Sequence, residues 1–184
     1  METNLCVAGF GGQGVMSLGK FLADAACNST DKNVSFFPSY GAEQRGGTAN
    51  CFVVISDGFI GSPVSDKVDD LIVMNGPSLD KFLPRLKQGG RLFINSSIVS
   101  AENIPAEIHP VAAPVTEMAL QLGSAKVLNV IMLGVYLGYT HVIDPAVVWE
   151  SIEEKLASKP KLMPLNRQAF SMGLEIGEKQ RKGE

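Results

Sequence analysis

Two glycine-rich strings around one short α/β unit hold the residues whose types and spacing could do chemistry. The first, Gly9-Phe10-Gly11-Gly12-Gln13-Gly14, follows the apolar run Leu5-Cys6-Val7-Ala8 and leads into Val15. A strand that turns into a helix through bare glycines lets main-chain amides approach an anion. The helix N-terminus adds a partial positive charge, so a turn of this kind suits a phosphate-bearing ligand. The second string, Ser39-Tyr40-Gly41-Ala42-Glu43-Gln44-Arg45-Gly46-Gly47-Thr48, follows Val34-Ser35-Phe36-Phe37. It brings together a phenol, a carboxylate and a guanidinium. Arg45 offers the bidentate donor geometry that carboxylates and phosphates accept. Gly46-Gly47 would let the backbone run close to a ligand or to a neighbouring chain.

The elements that must position these strings follow from apolar periodicity. Leu5 to Ala8 is continuous, as in a strand covered on both faces. From Val15 to Cys27, apolar residues at 15, 18, 22, 25 and 26 predict a helix. Further strands are expected at Val34–Phe37, stopped by Pro38, at Asn50–Ser56, at Val68–Asn75, at Arg91–Asn95 after a Gly89-Gly90 turn, and at Ile108–Ala113. A helix with Pro77 in its first turn runs toward Leu86, shortened or kinked by Pro84. Helices then dominate, at about 115–122, 125–139, 145–157 and 165–178, and a charged tail from about Glu178 should fray. The expected fold is a single α/β, Rossmann-like layered domain over residues 1–184, with a mainly parallel central sheet flanked by helices and a helical C-terminal part.

Composition narrows the function. A net charge of −3 and the lack of any Lys/Arg cluster argue against nucleic acid as a partner. Cys6, Cys27 and Cys51 are spaced too widely for a Cys-x-x-Cys site, so iron–sulfur ligation by this chain alone is not expected. The first strand begins too early to leave room for a signal peptide, and the longest apolar stretch, Val127–Tyr139, is too short to span a bilayer. Both point to a cytoplasmic chain away from membranes.

On spacing, Gly9, Gly11 and Gly14 match a dinucleotide fingerprint. That fingerprint also needs an acid at the end of the second strand, and here the strand ends Phe36-Phe37-Pro38. A stand-alone nucleotide-binding regulator or NAD-linked dehydrogenase is therefore the weaker reading, and glycines serving only a tight turn are a third. No residue stands out as an acid, base or nucleophile. His109 and His141 have no local partner set. Asp69-Asp70 reads as solvated or capping rather than as a metal pair, and Trp149 as a packing residue. Lys126, at the start of an apolar helix, is within reach of an anion bound nearby.

Taken together, Gly9-x-Gly11-Gly12-Gln13-Gly14-Val15 and Ser39-Tyr40-Gly41-x-Glu43-x-Arg45-Gly46-Gly47 resemble the gamma subunit of 2-oxoacid:ferredoxin (or flavodoxin) oxidoreductases. Ser62-Pro63 and Asp69-Asp70-Leu71-Ile72-Val73 fit the same pattern, and the similarity runs from about residue 3 to 177. The resemblance implies a CoA-dependent oxidative decarboxylation carried out by a multisubunit enzyme, with ferredoxin or flavodoxin as acceptor. Thiamine diphosphate, its Mg²⁺ and the 4Fe–4S clusters would belong to partner subunits: alpha and beta chains that bind thiamine and a ferredoxin-like delta chain. The chain's length is most like the 2-oxoglutarate type. Coenzyme A is then the ligand expected at the first string, and Tyr40–Gly47 would serve ligand, subunit interface, or both.

Overall fold

The computed structural model describes residues 1–40 and 48–183. The apolar runs become six strands: β1 (Glu2–Phe10), β2 (Asn33–Tyr40), β3 (Thr48–Ser56), β4 (Val68–Val73), β5 (Leu86–Asn95) and β6 (Val111–Ala113). They form one sheet in the order β2-β3-β1-β4-β5-β6. β1, β4, β5 and β6 pair in parallel, while β3 lies antiparallel between β2 and β1. The sheet is therefore mixed but mostly parallel. Six helices flank it: α1 (Val15–Ser29), α2 (Gly76–Phe82), α3 (Val115–Gln121), α4 (Leu128–Thr140), α5 (Pro145–Leu156) and α6 (Met163–Lys182).

Burial on both faces explains the unbroken apolar strands. On one face Leu5, Val7, Val53, Ile72 and Phe93 join a core with residues of α1, α4 and α6. On the other, Cys6, Ala8, Phe52, Leu71 and Leu92 meet Leu79 and Phe82 of α2. α4 is buried over nearly its whole length and lies very close to α6. A Cβ built on Gly134 would stand 2.5 Å from the Phe170 carbonyl oxygen, and one on Gly173 would stand 2.1 Å from that of Ile131. The two helices touch backbone to backbone through paired glycines. No helix among the described residues is long and apolar enough to cross a membrane.

Several boundaries differ from the sequence expectation, each for a physical reason. Pro38 does not stop β2. It sits on an edge strand, where proline is tolerated. Gly89-Gly90 is not a turn before a strand but lies inside β5, which carries an irregularity where Val68 pairs with Leu86 and Asp70 with Arg91. The strand expected from Ile108 is reduced to Val111–Ala113. α6 does not fray at Glu178 but continues to Lys182 and closes on Gly183 at φ 78°. The Gln180 side chain explains the extension. It accepts from the Ala112 N–H at 3.2 Å and donates to the Ala112 carbonyl at 2.7 Å, so it occupies the open edge of β6. Pro84 acts as expected, following the end of α2 within a 3-10 turn at Leu83–Arg85.

Candidate functional site

The first glycine string links the C-terminal end of β1 to α1, and the structure separates its glycines by purpose. A Cβ on Gly9 would stand 2.8 Å from Gln13 Oε1 and from Val15 Cγ2, and one on Gly14 would stand 2.6 Å from Asn129 Cγ. Gly14 also adopts φ 71°, a left-handed conformation that favours glycine. Packing therefore accounts for Gly9 and Gly14. Gly11 and Gly12 are exposed, and a Cβ on either would meet nothing within 4 Å among the described residues. Gly12 has φ 95°, which favours glycine in its own right. Gly11 has neither a crowded neighbour among the described residues nor a left-handed φ. No side chain among the described residues caps α1, so within them the amides of its first turn, beginning at Val15, are left for an anion.

Gln13 is turned inward. Its Oε1 accepts from the Phe10 N–H at 2.7 Å and from Asn75 Nδ2 at 3.2 Å, and its Nε2 donates to the Met74 carbonyl at 3.1 Å. It clamps the loop to the end of β4 and leaves ligand contact to the backbone. Around it lies a shelf of amide side chains at the C-terminal ends of the parallel strands, the edge at which α/β sheets bind ligands. Asn75 caps α2 by accepting from the Ser78 N–H at 2.9 Å. Buried Asn95 donates to Thr116 Oγ1 at 2.9 Å, and Asn129 donates to the Gly14 carbonyl at 3.3 Å. The sequence reading did not single out these asparagines as site residues. The available signal was a polar amide at the end of an apolar strand (Asn75, Asn95) or at the start of an apolar helix (Asn129), where a hydrophobe is the default.

Of the second string, Ser39 is half-buried in β2 and Tyr40 ends that strand. Gly41, Glu43, Arg45, Gly46 and Gly47 lie outside the described residues. Lys126 sits beside Asn129 along a small cavity of about 180 Å³ that also reaches Ser17 in the first turn of α1.

The other candidates resolve differently. Trp149 is buried against Phe170, with ring centroids 5.6 Å apart, under the Arg167 guanidinium. His141 closes α4 at φ 51°. Among the described residues no group of three or more His, Cys, Asp or Glu is placed to hold a metal. Burial pushes the thiols of Cys6 and Cys51 up to about 12, so both behave as apolar core groups.

The expectation of solvated or capping aspartates is corrected for Asp70. Asp70 is 0% exposed and accepts from Arg91 Nε at 2.6 Å, Arg91 Nη2 at 2.7 Å and the Tyr136 hydroxyl at 2.8 Å. Burial drives its carboxyl upward against the pull of Arg91 and Tyr136. Burial, followed by the Asp70 charge, also raises the Tyr136 hydroxyl well above its usual value, which keeps it a donor. Asp69 is partly buried. Burial works upward on it too, but Lys87 at 2.6 Å and the Asn4 donors hold it below its usual value.

The family model described as pyruvate ferredoxin/flavodoxin oxidoreductase matches residues 4–176. The chain is 39% identical over its full length to the ketoisovalerate oxidoreductase subunit VorA of Methanothermobacter thermautotrophicus, but it spans only 38% of that relative. It is 32% identical to the 2-oxoglutarate synthase subunit KorC of Methanocaldococcus jannaschii, covering 97% of this chain and 95% of the relative. Among solved structures, the gamma subunit of keto/oxoacid ferredoxin oxidoreductase from Geobacter sulfurreducens superposes with a TM-score of 0.83 at 28% identity, covering 96% of this chain and 98% of that one. A 2-oxoglutarate:ferredoxin oxidoreductase from Magnetococcus marinus, solved with 2-oxoglutarate, coenzyme A and succinyl-CoA bound, shares the fold. Its TM-score is 0.88 at 23% identity, covering 96% of this chain and 31% of that one. Carrying the matched pattern from residue 4 to 176, the chain belongs to the pyruvate ferredoxin/flavodoxin oxidoreductase family as a gamma-type unit.

Proposed function

We propose that this chain is the gamma component of a multisubunit 2-oxoacid:ferredoxin oxidoreductase and that its share of the work is to hold coenzyme A. The observation that carries the reading is the bare backbone at Gly11 and Gly12 beside an uncapped helix N-terminus. Crowding explains Gly9 and Gly14, and the left-handed φ accounts for Gly12, but neither accounts for glycine at 11. Backbone left open next to a helix N-terminus suits a phosphate group. The amides of Gly11, Gly12, Gly14 and Val15 would hold the phosphates, the Gln13 N–H being given to the Phe10 carbonyl at 3.2 Å, with the Gln13 and Asn129 side chains fixing the loop and Lys126 at its flank. Ser39, Tyr40, Gly41, Glu43, Arg45, Gly46 and Gly47 are proposed as the second side of the ligand site and as subunit contact. Holding the acyl acceptor beside the reacting group removes translational freedom, which can supply a large share of a rate.

Thiamine diphosphate with its Mg²⁺, held by alpha and beta partner chains, would supply the decarboxylation. Iron–sulfur clusters of a delta chain would pass electrons to ferredoxin or flavodoxin. The absence of an acid at the end of β2 argues against a nicotinamide dinucleotide in the same cradle. For the acid oxidised, the greater identity to the ketoisovalerate subunit, 39% against 32%, supports a branched-chain 2-oxoacid over the 2-oxoglutarate expected from chain length.

The test is co-purification of the tagged chain from its host, followed by an assay of CoA-dependent ferredoxin reduction with ketoisovalerate and with 2-oxoglutarate. A thiamine-binding partner and turnover faster with ketoisovalerate are expected. A chain recovered alone that binds NADH in a saturable way would overturn the reading in favour of a dehydrogenase.

A further inference from the structure

The opposite edge of the sheet carries a second built feature. Leu5 pairs with Asp70, so Asp70 lies below the glycine string by roughly 13 Å of strand, at about 3.3 Å per residue from Leu5 to Gly9. Between the pairs Val68–Leu86 and Asp70–Arg91, the residues Lys87, Gln88, Gly89 and Gly90 swing out opposite Asp69. Gly89 has φ 74°, and a Cβ on Gly90 would stand 2.9 Å from the Asp69 and Lys87 carbonyl oxygens, so the bulge is held by backbone contact. Such bulges commonly re-aim a side chain beside a functional site. This one forms the wall of a cavity of about 750 Å³, into which Arg91, Lys67, Glu107, His109 and Tyr139 also look.

Arg91 forms the floor. Its Nε and Nη2 are fixed on buried Asp70, which Tyr136 holds from the other side, while the side chain remains 38% exposed. A buried ion pair of this kind adds little stability over an apolar replacement, but it does hold a guanidinium rigidly with Nη1 unengaged among the described residues. Tyr139 touches Phe93 edge-on at 5.6 Å, and no hydrogen bond engages its hydroxyl among those residues. The charges facing the space nearly balance. Lys87 is matched by Asp69 and Arg91 by Asp70. Lys67 holds only the Pro84 carbonyl, at 2.8 Å, and Glu107 lies on the wall with His109. A polyanion such as coenzyme A is poorly matched to such a site, whereas a small molecule with one anionic group fits it.

We propose that this cavity binds a small molecule through a single carboxylate or phosphate group, received by Arg91 Nη1, the Tyr139 hydroxyl and Lys67. The site is separate from the glycine cradle and does not depend on the coenzyme A reading. The test is titration of the ¹⁵N-labelled 184-residue chain with benzoate in one arm and inorganic phosphate in the other, following amide shifts. Saturable shifts at Gly89, Gly90 and Arg91 are expected. Stronger binding of one probe identifies the carboxylate or the phosphate as the natural group. Tyr139→Phe keeps the ring contact and Lys67→Ala changes a surface residue. Each should weaken the stronger probe about tenfold, the worth of one hydrogen bond to a charged group. Shifts that never saturate, or equal affinity in both variants with the remaining spectrum unchanged, would overturn the proposal.

Discussion

Replacing Gly173 by alanine tests how the C-terminal helices hold the site in place. In an exposed helix this change stabilises by up to about 1 kcal/mol, because alanine loses less backbone entropy on folding. Here the new Cβ would stand 2.1 Å from the Ile131 carbonyl oxygen and 3.0 Å from Val135 N. Both are backbone atoms of α4 and cannot rotate away. An ordinary carbon–oxygen contact is about 3.3 Å, so the helices must part by about 1 Å. Overpacking of this kind costs about 1–3 kcal/mol, and a rigid backbone on both sides places this position at the upper end. Subtracting the alanine gain leaves a net loss of about 2 kcal/mol. For a chain of 184 residues, that lowers Tm by about 4–8 °C. Scanning calorimetry reads it directly, with Gly76→Ala as control, since a Cβ there would meet nothing within 4 Å among the described residues. α4 also carries Asn129, which holds the Gly14 carbonyl, so Gly173→Ala should disturb amide signals in the glycine string as well. An unchanged or raised Tm would refute the close-contact argument.

Other outcomes follow from the same geometry. Gln13→Ala leaves the Phe10 N–H and the Asn75 amide without their acceptor and should lower stability by about 1–3 kcal/mol in urea unfolding; an unchanged midpoint would show the clamp to be idle. Gln180→Ala opens the β6 edge at Ala112. It should cost about 1 kcal/mol and promote self-association, visible by sedimentation as a concentration-dependent shift. Thiol titration at pH 8 should find exposed Cys27 reactive, while Cys6 and Cys51, both raised to about 12, react only after unfolding. Rapid reaction of all three in the native chain would contradict the burial.

Most of the fold was legible because local pattern and global position agree in it. Strands covered on both faces read as the runs Leu5–Ala8 and Leu71–Val73, and α1 shows in its spacing. Boundaries failed where a distant partner decides them. Gln180 extends α6 by binding an edge strand 68 residues away in sequence. The Lys87–Gly90 bulge depends on how β5 registers with β4. Asp70 looked solvated because Arg91 and Tyr136, which complete it, are brought close only by the fold. The site was legible as glycines but not as a division of labour among them. Spacing alone could not show that Gly9 and Gly14 are crowded while Gly11 is open, nor that Gln13 turns inward. The asparagine shelf escaped because its members are far apart in sequence.

Calorimetric titration of coenzyme A into the wild-type chain and into Gly11→Ala asks whether main-chain amides at the first crossover meet a phosphate of that ligand. A methyl group at that position meets nothing within 4 Å among the described residues, so Tm should not fall. Saturable binding to the wild type is expected, with affinity about tenfold weaker or worse in the variant, because the methyl stands where the ligand must approach. Equal affinity in the two proteins, or no binding to either, would contradict that contact.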